Sequence, residues 1–163
     1  MSGEPLPEPA ARVAGFLQDA RAEARMQEFR EGTPTAEAAA EAIGCRLDAI
    51  VKSLIFLCDA DPVLVMVDGS RRVDEEKARK ATGASAVRMA RPDVVRDRTG
   101  FEVGGVAPFP LPRIARAVID QSLLRHQVVW VGAGTSRHMV GLSPIELVRL
   151  TKASSADVSQ DMG

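Results

Sequence analysis

The chain is predicted to fold as a mixed α/β protein of the α+β kind, with a barrel-like mixed β-sheet core and surrounding helices. Three observations predict this. Two apolar runs, at 52–57 and 63–67, flank Asp59-Ala60-Asp61-Pro62, which has the composition of a hairpin turn. Later strands are separated by single helices without regular βαβ alternation. Between them, residues 100–112 hold three glycines and three prolines, which makes that stretch a loop.

The elements follow in order. Residues 10–29 place Val13, Phe16, Leu17, Ala20 and Ala24 at helical spacing and predict one amphipathic helix. Thr33-Pro34-Thr35 offers a hydroxyl cap ahead of a short alanine-rich helix over 36–43, which Gly44 stops. One further helical turn fits 47–51, and the hairpin strands follow. A helix over 74–81 carries acids in its first turn and basic residues in its last, matching the helix dipole, and Gly83 ends it. Residues 86–89 fit a short strand, and Arg91-Pro92-Asp93 opens a helix that ends before Gly100. Strands are expected at 117–119, 128–131 and 138–142, with a turn at Gly132-Ala133-Gly134. Ser143-Pro144 caps and starts a last helix through Leu150. A single domain over 10–152 results, with 1–9 and 153–163 expected as flexible tails.

Composition narrows the function. A chain of 163 residues is long enough to bury about two-thirds of its unfolded surface in one core. No apolar run approaches the roughly 20 residues that cross a bilayer, so no membrane partner is expected. Acids and prolines fill the first nine residues, where a secretory signal carries basic and then apolar residues, and a cytoplasmic location is expected. Cys45 and Cys58 are one pair in a large chain and are read as free thiols. The formal net charge of -1 argues against a protein that coats nucleic acid by bulk electrostatics. Charge is uneven, however. From Arg71 to Arg98 nine basic residues face five acids, which suits either a solvated helical face with internal ion pairs or a footprint for a phosphate backbone.

Several familiar chemistries fail. Val128 to Gly134 opens like a dinucleotide-binding turn, but Arg137 stands where the third glycine belongs. His126, His138, Cys45 and Cys58 fall in no metal-ligand spacing, so neither a metal nor another cofactor is implied. No serine lies in a nucleophile elbow, and Cys45, following Gly44 at a helix end, sits where the dipole raises a thiol pKa.

One residue stands out. Lys52 interrupts an otherwise apolar strand, and an ammonium is costly to bury without a compensating partner or ligand. It is expected to open into a cleft whose second wall is Gly104-Gly105-Val106-Ala107-Pro108, since adjacent glycines let main-chain amides approach a ligand. Together they suggest a site for an anionic or carbonyl substrate. An edge lysine that snorkels to solvent is the plainer alternative.

The order of these segments resembles the YbaK and prolyl-tRNA synthetase editing-domain family. The residues that carry the resemblance are Thr35 to Ala39 with Gly44, Ile50 to Leu54, Arg72-Val73-Asp74 with Lys77, Thr99-Gly100-Phe101, Gly104 to Phe109, Asp120, Gly132 to Gly134, and Leu142-Ser143-Pro144 with Leu147. The resemblance implies a freestanding deacylase that hydrolyses the ester of a mischarged aminoacyl-tRNA, most often a tRNA for proline. It implies Lys52 as the residue most needed for activity and the loop from Gly104 to Pro108 as the lining of the aminoacyl pocket. On that basis the Lys52 ammonium is expected to grip the terminal adenosine or its phosphate while amides around Gly104 and Gly105 hold the scissile carbonyl. Thr35, Ser53, Gly100, Val106, Ala107, Pro108, Asp120, Gly132, Ala133, Gly134 and His138 would contact the aminoacyl end, and Arg71, Arg72 and Lys77 the tRNA. His138 is equally compatible with a half-exposed strand position, because its spacing from the glycine turn is one residue shorter than in synthetase-embedded members. The partner implied is the acceptor end of the tRNA, with a synthetase as a further candidate. Two other classes stay open: a non-catalytic module that holds tRNA or a synthetase in the same cleft, and a binder of nucleotides or amino-acid esters. The amino acid removed is not legible; alanine, cysteine, serine and threonine differ by little volume.

Overall fold

The computed structural model describes residues 5–161. Helix α1 (Glu8–Asp19) starts behind Pro7 and buries Ala10, Val13 and Leu17. The predicted helix over 10–29 is cut short: Arg21 turns with φ 51, and strand β1 (Ala24–Glu28) follows. Ala24 and Met26 pack inward at a period of two, although Ala, Arg, Met, Gln and Glu are all good helix formers. Pairing with a later strand overrides that propensity.

Helix α2 (Ala36–Ile43) is capped by Thr35, whose Oγ1 accepts from the Ala38 amide at 3.1 Å, and closed by Gly44 at φ 80. After a 3₁₀ turn at Leu47–Ala49, strands β2 (Val51–Cys58) and β3 (Asp61–Asp68) form the expected hairpin. Its tight connection is Asp59-Ala60. Asp59 takes φ 59 and its carboxylate accepts the Ser85 and Ala86 amides, which ties the hairpin tip to the next segment.

Helix α3 (Glu75–Thr82), capped by Asp74, leads to β4 (Val87–Met89) and α4 (Pro92–Thr99). The irregular loop then reaches β5 (Arg116–Asp120). A 3₁₀ segment at Gln121–Arg125, absent from the sequence reading, precedes β6 (Val129–Gly132) and β7 (His138–Leu142). Ser143 caps α5 (Pro144–Thr151) through the Glu146 amide. Strand β8 (Ser154–Ala156) closes the described chain. Loose residues were expected there. Instead β8 pairs in parallel with β5, and Val158 and Ser159 beyond it are buried.

The strands form two sheets, not one closed ladder. One has the order β1-β7-β6 and is antiparallel; the other, β4-β2-β3-β5-β8, is mixed. They meet at a bridge between Ile50 and Trp130, which gives the wrapped, barrel-like core its continuity. The hairpin is the centre of the larger sheet. On β3, Val63, Val65 and Val67 face one apolar cluster while Leu64 and Met66 face another, and all five are at most 1% exposed. A sheet covered on both sides explains the unbroken apolar run, each side chain contributing about 1.5–3 kcal/mol on burial.

Helix α5 is fastened to the start of β1 by one carboxylate. Glu146 accepts the Glu23 amide at 2.7 Å and pairs with Arg149 at 2.6 Å. The Arg149 guanidinium, and after it the Glu23 amide, lower the Glu146 carboxyl from 4.5 to about 2. A depressed carboxyl stabilises the fold above its unfolded value, and that stability is lost as pH falls through the folded one. Glu146→Gln is therefore expected to lower the melting temperature at pH 7 by about 2–4 °C. The gap from wild type should close between pH 4.5 and about 2 in melts followed by circular dichroism.

Candidate active site

Strand β2 is only partly covered along one edge. The Ile50 carbonyl accepts from Gly69 on the β3 side, whereas the Ile55 carbonyl accepts from Ala90 on the β4 side. Main-chain groups alternate between the edges of a strand, so Ser53 presents its N–H and C=O on the side of Ile55. Strand β4 pairs only with residues Phe56 to Cys58. The edge around Ser53 is thus left open, and a cavity of about 320 Å³ lies against it.

The cavity gathers several of the sequence-predicted residues. Lys52, Ser53, Thr35, Gly104, Val106 and Gly132 all line it. The Lys52 ammonium donates to the Arg71 carbonyl at 2.8 Å, which uses one of its three N–H groups. Ser53 Oγ is buried and has no partner among the described residues. Thr35 Oγ1 accepts the helix-cap amide with one lone pair and keeps its own hydrogen to give. Gly104 adopts φ 96, in the region that favours glycine, and its amide makes no hydrogen bond among the described residues.

Close backbone approach brings the loop to the wall. A Cβ on Gly132 would lie 2.6 Å from the Val106 carbonyl oxygen, so only glycine lets β6 and the loop touch there.

Other predicted residues lie elsewhere. The Gly105 amide is already given to the Glu102 carbonyl at 3.0 Å, so it is not free to hold a substrate carbonyl. Ala107 and Ala133 are core residues, and Pro108 faces a separate cavity of about 100 Å³. Gly100 closes α4 at φ 75, its carbonyl taken by Arg12, and Gly134 packs on Pro9. His138 is buried outside the cavity lining: Nδ1 meets Thr135 Oγ1 at 2.6 Å, and Nε2 lies 3.8 Å from Glu28. The half-exposed strand position is not what the fold provides. Asp120 is buried among Ser122, Val158 and Ser159, so it holds main chain and hydroxyls instead of lining the cavity.

The basic excess is largely spent within the protein. Arg79 pairs with Glu76, Arg91 with Asp93, Arg96 with Glu102 and Arg98 with Asp97. Arg71 pairs with Asp68 and lines a third, polar cavity of about 410 Å³ with Arg125 and His126. Lys77 is held by Asp157 and Asp161, while the Arg72 carbonyl accepts the Gln160 amide. Six of the nine thus have an acidic partner among the described residues, and two of them, Arg79 and Arg98, pair within a single helix.

Sequence reasoning missed the apolar mouth of the cavity. Met89 and Val103 line it at 55% and 61% exposure, with Pro34 and Met139 on the wall. Exposed apolar side chains on a short strand and a loop were the available signal. Cys45 and Cys58 are free, and burial raises both thiols, which suits inert side chains. Among the described residues no cluster of three or more His, Cys, Asp or Glu could hold a metal, and no helix is long and apolar enough to cross a membrane.

The family model for the aminoacyl-tRNA editing domain matches residues 30–150, and the chain belongs to that family. It is 40% identical over 121 residues to the uncharacterized protein YwhH of Bacillus subtilis (strain 168), covering 74% of this chain and 76% of that one. It is 30% identical over 118 residues to a proline–tRNA ligase of Nitratidesulfovibrio vulgaris (strain Hildenborough), covering 72% of this chain but only 20% of the synthetase. A crystal structure described as a proposed trans-editing enzyme for prolyl tRNA synthetase superposes with a TM-score of 0.90 at 36% identity, covering 96% of this chain and 100% of that one.

Gly132→Ala is expected to destabilise the protein by about 1–3 kcal/mol, because the added methyl meets a main-chain oxygen that cannot swing away. Denaturant unfolding checks it: the midpoint should fall with an unchanged slope.

Proposed function

We propose that this protein hydrolyses the ester of mischarged aminoacyl-tRNA in trans, with tRNA for proline as the first substrate to test. The observation that carries the reading is that Lys52, with two ammonium hydrogens uncommitted, and Gly104, with its amide uncommitted among the described residues, line one cavity. Family membership and the likeness to the proposed trans-editing structure support it.

On this reading the cavity takes the aminoacyl group. Lys52 keeps two donors for the terminal adenosine or its phosphate, and the Gly104 amide receives the carbonyl as charge develops on it. Among the described residues no His, Cys, Asp or Glu lines the cavity, so neither a histidine-activated nucleophile nor a carboxylate base is at hand there. An aminoacyl ester is already activated. Orientation and charge stabilisation then suffice, with water or a group of the substrate attacking. Val106, Ala36, Ala39 and Ile50 keep the space small and apolar, while Ser53 Oγ offers one unused polar contact. The partner is the acceptor end of the tRNA, in the cytoplasm where charged tRNA is used, and a synthetase is a candidate for delivering it.

A panel of alanyl-, cysteinyl-, seryl- and threonyl-tRNA, on proline tRNA and on cognate tRNAs, tests the proposal. At least one ester should be cleared well above the spontaneous rate; a panel left intact would identify a binding module instead. Lys52→Ala should slow the cleared ester about 100-fold or more while the melting temperature moves by only a few degrees. An active variant would remove this lysine from the site.

A further inference from the structure

We infer that residues 157–161 are a strap that positions Lys52 through the Arg71 carbonyl, and that Lys77 and Asp120 are the positioning residues that fasten it. This rests on the reading that Lys52 acts on the aminoacyl ester.

The chain of contacts runs in four steps. Lys52 Nζ donates to the Arg71 carbonyl at 2.8 Å. That carbonyl belongs to the connection between β3 and α3, which lies outside both sheets. The strap holds this connection at the acceptor residue and after it, while Asp68 at the end of β3 takes the Arg71 amide at 3.1 Å on the other side. Ser159 Oγ accepts from Arg71 Nη1 at 3.3 Å, the Gln160 amide donates to the Arg72 carbonyl at 2.8 Å, and the Asp74 amide donates to the Val158 carbonyl at 2.8 Å. Val73 and Ser159 also form an isolated antiparallel bridge.

Two charged side chains then fix the strap. Asp120, 1% exposed, accepts the Val158 amide at 2.9 Å and the Ser159 hydroxyl at 3.2 Å, and is itself held by Ser122. Lys77 Nζ donates to the Ser159 carbonyl at 2.8 Å and to Asp161 and Asp157 at 2.8 and 3.1 Å. Three oxygen acceptors occupy an ammonium that has three N–H groups, so nothing remains of it for a phosphate. Lys77 works inward, on the strap.

The geometry matters because a reacting group displaced by about 1 Å can cost 100-fold in rate. A lysine stem has four rotatable bonds, and its head is only as fixed as its acceptor. Strand β2 fixes the Lys52 backbone; the strap fixes the place where its ammonium rests.

The test compares Lys77→Met, Lys77→Arg and Asp120→Asn on full mischarged tRNA and on a minimal aminoacyl-adenosine ester. Lys52 is followed independently by amine acetylation and peptide mass spectrometry. Lys77→Met and Asp120→Asn should lose about tenfold or more in kcat on both substrates, with KM changed less than about twofold. Lys52 acetylation should quicken several-fold, and Lys77→Arg should keep most of the activity. A loss confined to KM for full tRNA would make Lys77 a tRNA contact and overturn the proposal, as would unchanged Lys52 labelling in Lys77→Met. Lys77 is 24% exposed, so its variants carry the test if Asp120→Asn fails to fold. If the wild type clears no ester, the deacylase reading falls, and the labelling alone still decides whether the strap holds Lys52.

Discussion

One hydrogen bond, from the Lys52 ammonium to the Arg71 carbonyl, lets a cation stand on a strand that is otherwise built for the core. Leu54, Phe56 and Cys58 share its face and join the cluster under α3. Desolvating an ammonium there without an acceptor would cost several kcal/mol. The carbonyl supplies that acceptor at the end of the strand, just where the apolar cluster gives way to the β3–α3 connection. Its position in turn depends on Asp68 at the end of β3, which accepts the Ser70 and Arg71 amides, and on the strap, which holds Arg71 to Asp74.

The same strand has a second consequence. Strand β4 is three residues long and covers β2 only at its far end, so the near end keeps an unpaired edge. Exposed edges invite another chain, and proteins usually cover or shorten them. Here α2, its capping Thr35 and the glycine loop stand off from the edge and enclose space. The bridge from Ile50 to Trp130 marks where the two sheets join, and the cavity occupies the gap that this joint leaves.

Most of this frame was legible because local signals agreed with the fold. Thr35, Asp74 and Ser143 cap the helices predicted for them, and Gly44, Gly83 and Gly100 close theirs. The hairpin was legible because β3 is buried on both faces and so reads as an uninterrupted apolar run. Residues 24–28 misled because their side chains favour a helix, while partners more than a hundred positions away, Leu142 to His138, make them a strand. The polar run after Ala153 misled for the same reason. Its burial depends on Asp120, and a carboxylate buried to receive two amides and two hydroxyls looks in sequence like any surface acid.

The site was legible in part, along one physical line. Residues whose type is odd for their place, a lysine in a core strand or paired glycines in a loop, drew attention to the cavity wall. Residues whose type is ordinary did not: Met89, Val103 and Met139 shape the cavity without any chemical singularity. The reverse error has the same root. Asp120 and Lys77 are charged, which suggested contact with a substrate, yet both are consumed by neighbours inside the protein, while His138 engages Thr135 through Nδ1 and lies outside the cavity lining with Nε2 unpartnered among the described residues. A polar side chain that has already met its partners cannot bind tightly to anything else without breaking them, at about 1–3 kcal/mol for each group left unsatisfied. By that measure the groups left for a ligand on residues lining this cavity include, among the described residues, two N–H groups of Lys52, the Thr35 hydroxyl hydrogen, the Ser53 hydroxyl with its open strand edge, and the Gly104 amide. A cation, hydroxyls and bare main chain in an apolar setting can grip a charged or carbonyl-bearing end of a ligand.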